Sequence, residues 1–319
     1  MLKKKLTSST FWFSNLFYIL AVIFIFVFGI LNPKFLNQKN IANIFAQSSI
    51  LIILGIGMSL ALITKGMDMS VGAILFLCAA IIQVLNKKCG IGMAEMILIS
   101  LAVGTVAGLI NGLIVSALNV YPLLPTLATM FIYRGLALIV GGGGSATMPM
   151  FWSKIIGIKV GPVPLHVLIA IGLALLVQLM LKYTKTGRFI FALGDSEKTA
   201  IQKGINEKRI KILVYTISGL MCGVAAIIFS AQSMSVPPSA GDGIEFKCVI
   251  AATLGGVSMF GGKGTVVPGI IVGALILSVI SNVLVLCNAS AYIYTVVYAL
   301  VILFVVLLET MKIRANAKK

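Results

Sequence analysis

KYTKTGRFIFALGDSEKTAIQKGINEKRIK, Lys182 to Lys211, holds eight of the chain's 25 basic residues and three of its eight acids. Two long apolar runs flank it, and on so apolar a chain a polar island of this size lies in water. Within it, Asp195 or Ser196 can cap a short helix running through Lys203, which Gly204 stops. Asn206 reads as a second cap, with Glu207 in the first turn of the long apolar helix that follows. A short helix between two membrane spans is either a grip for a soluble partner or a solvated connector. The pattern of residues alone leaves both open.

The composition fixes the class around that island. The chain is 60% hydrophobic and 10% charged, with mean hydropathy +1.11, whereas soluble domains carry about 25% charged residues. It therefore reads as an all-α integral membrane protein, a polytopic helical bundle. At about 20 residues per helical span, 319 residues hold about ten spans in a single transmembrane domain over 1–319. No soluble catalytic domain fits beside them.

The net charge of +17 does not point to nucleic acid. The bases sit in short loops and tails, where they set topology, and no basic stripe is interleaved with aromatics. The first apolar run, Phe11 to Leu31, is too long for a signal-peptide core and reads as a retained span. Cys78, Cys89, Cys222, Cys248 and Cys287 are scattered singly, without metal-ligand spacing, and read as buried free thiols.

Taken in order, Lys3, Lys4 and Lys5 hold the N-terminus inside. Spans are expected at Ile41–Thr64, from the turn that follows it to about Leu85, up to Leu118, Leu123–Val140, Leu165–Leu181 and Ile212–Ala231. Phe246–Phe260, Val266–Leu286 and Ala291–Leu308 complete the set. Lys65 to Ser70, Lys182 to Lys211 and Gly261 to Gly264 are then inner turns, while Gly141–Pro164 and Gln232–Glu245 are outer segments. On this path seventeen bases lie inside and seven outside, with Arg134 within a span. That excess satisfies the positive-inside rule with both termini cytoplasmic.

Glycines every fourth residue, Gly104-Gly108-Gly112, Gly219-Gly223 and Gly269-Gly273, predict flat faces where helices approach closely. Asp68, in GMDMSVG between two spans, is either a helix cap shared with Ser70 or a group with a gating or transport role. Arg134 stands in MFIYRGLAL and calls for a cavity, an interface or an acidic partner. His166 begins a span and carries no assigned chemistry.

FGGKGT, Phe260 to Thr265, falls short of a phosphate loop, because position 257 is valine and Gly264 follows Lys263. Gly141 to Gly144 lacks a dinucleotide context. No cofactor or ATP site is legible, so any ATPase that energises transport is another polypeptide. The chain reads as a transport subunit rather than an enzyme. An ion-coupled carrier or channel would want ionisable groups buried at mid-span, and a membrane enzyme would want convergent His, Asp, Glu or Cys.

Four stretches in order resemble the permease subunits of bacterial sugar ABC importers of the ribose, xylose, arabinose and galactose type. They are ITKGMDMSVGAIL (Ile63–Leu75), NGLIVSALNVYPLLPTLATMFIYRGLAL (Asn111–Leu138), TGRFIFALGDSEKTAIQKGINEKRIKILVYTISGL (Thr186–Leu220) and LGGVSMFGGKGTVVPGIIVGALIL (Leu254–Leu277). The resemblance implies a permease in the bacterial cytoplasmic membrane, working as a pair of identical or paralogous copies. It also implies two ATPase subunits below and an external sugar-binding protein above. Gly194, Asp195, Ser196, Glu197, Ala200, Gly204, Ile205 and Asn206 become the coupling helix and its ends. Asp68, Ser70 and Arg134 become candidates for the translocation path or its gating. The outer segments would meet the binding protein. Permeases for nucleosides, autoinducer-2 and branched-chain amino acids share this architecture. Lys65 departs from the family's pattern, which commonly has glycine there, and this bears on the geometry of the inner turn.

Overall fold

The protein is described from a computed structural model. The structure describes residues 28–30, 32–118, 120–161 and 163–317. In hydrocarbon every backbone N–H and C=O must pair within its own segment, so the apolar runs become helices. In order these are α1 (Gln38–Ile63), α2 (Val71–Cys89), α3 (Met93–Leu118), α4 (Leu123–Gly141) and α5 (Leu165–Tyr183). There follow α6 (Lys185–Asp195), α7 (Glu197–Gln202), α8 (Glu207–Ser233), α9 (Ile244–Leu254), α10 (Ile271–Leu286) and α11 (Ala291–Ala317). Among the described residues eight helices are long and apolar enough to cross a membrane: α1 to α5, α8, α10 with the turn before it, and α11.

Two expectations change. The predicted span Phe246–Phe260 is replaced by α9, only 11 residues long, or about 16 Å against a hydrocarbon core of about 30 Å. Gly255 and Gly256 end it, with Gly256 at φ +87°. Of the nine predicted spans that fall on described residues, eight are helices long enough to cross and one is this half-length helix; the predicted span Phe11–Leu31 lies almost wholly outside the described residues. Burial of the thiols holds for Cys78, Cys222 and Cys248, but Cys89 and Cys287 are exposed.

The chain divides into two compact units, Met1–Phe45 with Leu275–Lys319, and Ala46–Ala274. In the first, Phe35, Ile44, Val279 and Val283 form a small core. Asn40 and Asn282 each donate to the other's side-chain oxygen, at 2.8 and 2.7 Å, the kind of reciprocal amide pair that joins membrane helices.

In the second unit α1 is the central helix. Ile53, Leu54, Ile56, Met58, Leu60, Leu62 and Ile63 are fully buried, as expected of a helix apolar all round. The predicted glycine faces meet. A Cβ at Gly108 would collide with the carbonyl of Tyr215 and lie 2.8 Å from Gly219 Cα, and one at Gly223 would lie 2.6 Å from Ser100 O. α3 and α8 therefore touch backbone to backbone. Gly269 and Gly273 pack likewise against Gly255 and Ala251 at the end of α9.

Outside the helices, four two-residue strands among the described residues form two antiparallel pairs. β1 (Ala146–Thr147) pairs with β4 (Ser235–Val236), and β2 (Lys159–Val160) with β3 (Val163–Pro164). The two segments expected on the outer side are thus joined to each other.

Candidate functional site

Three features of the second unit concern function: a junction of turns at one end, a buried polar knot beside it, and an ion pair on a turn halfway up α4.

The junction joins the end of α1, the end of α6 and the turn at 261–262. Gly262 N donates to Ile63 O at 2.9 Å. A side chain on Gly194 would strike that same carbonyl and come within 2.6 Å of Gly262 N, so only glycine fits. Lys65 takes a left-handed conformation, φ +60°, where L-residues other than glycine pay a steric cost. Its Nζ reaches Asp195 O at 2.9 Å, at the C-terminal end of α6, where helix carbonyls lack partners and favour a cation. The lysine side chain thus tethers this strained turn to the end of α6.

From this junction α7 projects into the open. Ser196, rather than Asp195, is its N-cap; Ser196 Oγ accepts from Thr199 N at 3.3 Å. Gly204 follows its end at φ +79°, and Ile205 N closes back on Ala200 O at 3.1 Å. Asn206 Oδ1 then accepts from Arg209 N at 3.1 Å and starts α8. Ala200 is buried, whereas Glu197, Lys198, Thr199 and Ile201 are exposed. Lys211 Nζ lies 2.6 Å from Glu197 and 3.6 Å from Glu207. The hydrogen bond shared with Glu207, together with the Lys211 ammonium, holds the Glu197 carboxyl below the usual carboxylate range. α6 went unread in the sequence. Its signals were Thr184, whose hydroxyl accepts from Gly187 N at 3.1 Å, and the spaced apolar residues Ile190 and Leu193.

The knot centres on Asp68, fully buried between α1 and α2. Its Oδ1 accepts from Ser70 N at 3.1 Å and Ser70 Oγ at 2.6 Å. Its Oδ2 accepts from Ser218 Oγ at 2.7 Å. Asn111 Nδ2 donates to Ser70 Oγ at 2.6 Å, and the Tyr133 hydroxyl lies 3.1 Å from Asn111 Oδ1 and 2.9 Å from Ala107 O. Thr126 Oγ1 accepts from Met69 N, and Tyr215 OH donates to Met67 O, both at 3.2 Å. A buried charge is tolerable only with such donors. The helix-cap expectation needs correcting: Ser70 holds the N-cap position of α2, yet its side chain caps no amide. Both side chains instead fasten the break between α1 and α2 to α3, α4 and α8. Asn111 and Ser218, polar residues within otherwise apolar spans, were the unread sequence signal.

Arg134 has an acidic partner. Nη1 lies 2.7 Å from Asp242 Oδ1, and the guanidinium also donates to Pro238 O at 3.2 Å and Ala240 O at 3.0 Å. It sits 5.4 Å over the Phe76 ring. Sequence and structure therefore bring Asp68 and Ser70 together, with Arg134 separate on α4 and the coupling candidates at the junction. Among the described residues no three His, Cys, Asp or Glu side chains gather to hold a metal.

The family described as branched-chain amino acid transport system / permease component matches residues 40–306. The chain belongs to this family. Its relatives include the ribose import permease protein of Escherichia coli (strain K12), 35% identical over 303 residues, 92% of each chain. The autoinducer 2 import system permease protein of Enterobacter sp. (strain 638) is 36% identical over 295 residues, 91% of this chain and 84% of its own. That of Yersinia pseudotuberculosis serotype O:1b is 35% identical over 302 residues, 91% and 83% respectively. No solved structure matches. The permease is thus a multi-pass protein of the bacterial cytoplasmic membrane, a transport component of an ABC importer, as the four sequence stretches implied.

Proposed function

We propose that this permease forms the translocation path of an ATP-driven importer for a monosaccharide delivered by an external binding protein. Two copies, or this chain and a paralogue, enclose the path, and two ATPase subunits bind on the cytoplasmic side. The observation that carries the reading is the junction at Gly194: a short exposed helix rooted against the turns that end α1 and precede α10. Force applied to α7 reaches the membrane helices through backbone contacts, with no flexible linker between. Exposed Ile201, 49% accessible among charged neighbours, is an apolar anchor suited to a partner's cleft.

ATP-driven closure of the partner pair would push on α7 and shift the path between outward and inward openings, each state favoured by different contacts. The side of the membrane follows from charge: Lys182 to Lys211 is the most basic segment and belongs in the cytoplasm. The paired strands at the other end then face the binding protein. Similarity to a ribose import permease favours a sugar, and similarity to autoinducer 2 import permeases keeps that solute as the alternative.

Uptake by vesicles containing the assembled transporter tests this. Gly204→Val forces a branched side chain into a left-handed position, and Asp195→Lys places a cation where Lys65 docks. Each is expected to leave ATP hydrolysis running while solute uptake falls. Unchanged uptake per ATP in both would remove α7 as the coupling element. Uptake of a nucleoside or an amino acid, but no sugar, would correct the substrate class.

A further inference from the structure

The sequence places Gln232–Glu245 outside the membrane, yet its last residues lie deep in the unit. Gly241 O presses on the first turn of α2, where a Cβ on Gly72 would collide with it and come within 2.9 Å of Ile244 Cγ2. The arginine that holds this turn stands 11 residues after Leu123 and seven before Gly141. These offsets put Arg134 about 16 Å from one end of α4 and about 10 Å from the other, close to the middle of a span. The turn 237–243 is therefore re-entrant, descending from β4 to mid-depth, where the half-length α9 begins.

Two observations decide what this turn faces. Irregular backbone at mid-membrane is tolerated only where protein buries it or where it lines a water-filled cavity. The Asp242 side chain is 59% exposed while its partner Arg134 is 21% exposed, and a carboxylate so open at that depth cannot face lipid. On the opposite side of the same helix, Ile132 is 57% exposed and suits hydrocarbon.

We propose that the turn 237–243 forms a wall of the aqueous translocation path at mid-depth, with Asp242 and Arg134 as a solute-facing pair for uncharged polyhydroxylated solutes. The carboxylate accepts from solute hydroxyls and the guanidinium donates to them. Their mutual neutralisation leaves no net charge to hold an anion such as a sugar phosphate. This use of the pair rests on the importer reading above, but its position in water does not.

Thiol labelling in membranes tests the position directly, using the full chain with Cys89 and Cys287 replaced by serine. Asp242→Cys and, as a second position in the same turn, Ser239→Cys are treated with anionic and cationic membrane-impermeant thiosulfonates. Both are expected to react, and Ile132→Cys is not. At Ser239→Cys, with the ion pair intact, the two reagents should react alike. At Asp242→Cys the freed Arg134 should favour the anionic reagent, a preference lost on adding Arg134→Gln. Silence at both turn positions, while native Cys89 reacts in the unmodified chain, overturns the proposal; so does an anionic preference at Ser239→Cys that survives Arg134→Gln. A silent turn in a chain that still carries an ATPase defeats this inference alone. A reactive turn in a chain that binds no ATPase defeats the importer reading instead.

Discussion

Ser218 shows what one hydroxyl does in this protein. It is the only described side chain donating to Asp68 Oδ2, in a pocket without exposure. Ser218→Ala leaves that oxygen desolvated and unpaired, at a cost of about 1–3 kcal/mol, and thermal unfolding in detergent should register the loss. Ser116→Ala removes a hydroxyl that only returns to its own helix, at Leu113 O, and should change little. Equal effects would mean the knot is not holding the α1–α2 break. Glu197 gives a pH sign. Its carboxyl is held below the ordinary range, first by the hydrogen bond with Glu207 and then by Lys211, so these contacts contribute stability above that range and lose it as pH falls through the lowered value. Amide exchange at Thr199 to Gln202 should accelerate on that acidification, and Glu197→Gln should make it insensitive.

At the scale of elements, glycine placement was legible because its spacing matches helix packing in lipid. The partners Gly104, Gly108, Gly219 and Gly223 could be read before they could be paired. Gly108→Leu drives a side chain into backbone and should cost at least about 1–3 kcal/mol by overpacking, with loss of monodisperse protein on size exclusion as the readout. The turn at Lys65 was half legible: a lysine where the family resemblance implies glycine announced an unusual geometry, but its reach to Asp195 O depends on α6, which the sequence did not reveal. Lys65→Gly removes a left-handed cost of about 1–2 kcal/mol while losing the tether, and Lys65→Ala loses the tether and keeps the cost. The alanine variant should therefore melt lower than the glycine variant. Equal melting would mean that backbone conformation has no role there. Hydropathy reports only that Phe246–Phe260 is apolar and so suggests a full span; the signal that α9 stops short is the Gly255-Gly256 pair inside it, a helix-ending dipeptide.

For the molecule as a whole, composition and charge announced a many-span membrane protein, and four ordered stretches announced the importer permease family. Hidden from both was how distant turns converge, since Ile63, Gly194 and Gly262 meet only through the folded backbone. The central claim is that α7, rooted at that junction, is where an ATPase grips. Its most direct test is affinity purification of the tagged chain from its native membrane in mild detergent, followed by mass spectrometry. The account predicts an ATPase subunit in the eluate that disappears when Ile201→Glu is introduced into a chain still running as a folded protein. An eluate holding the chain alone, able to move solute without ATP, would contradict it.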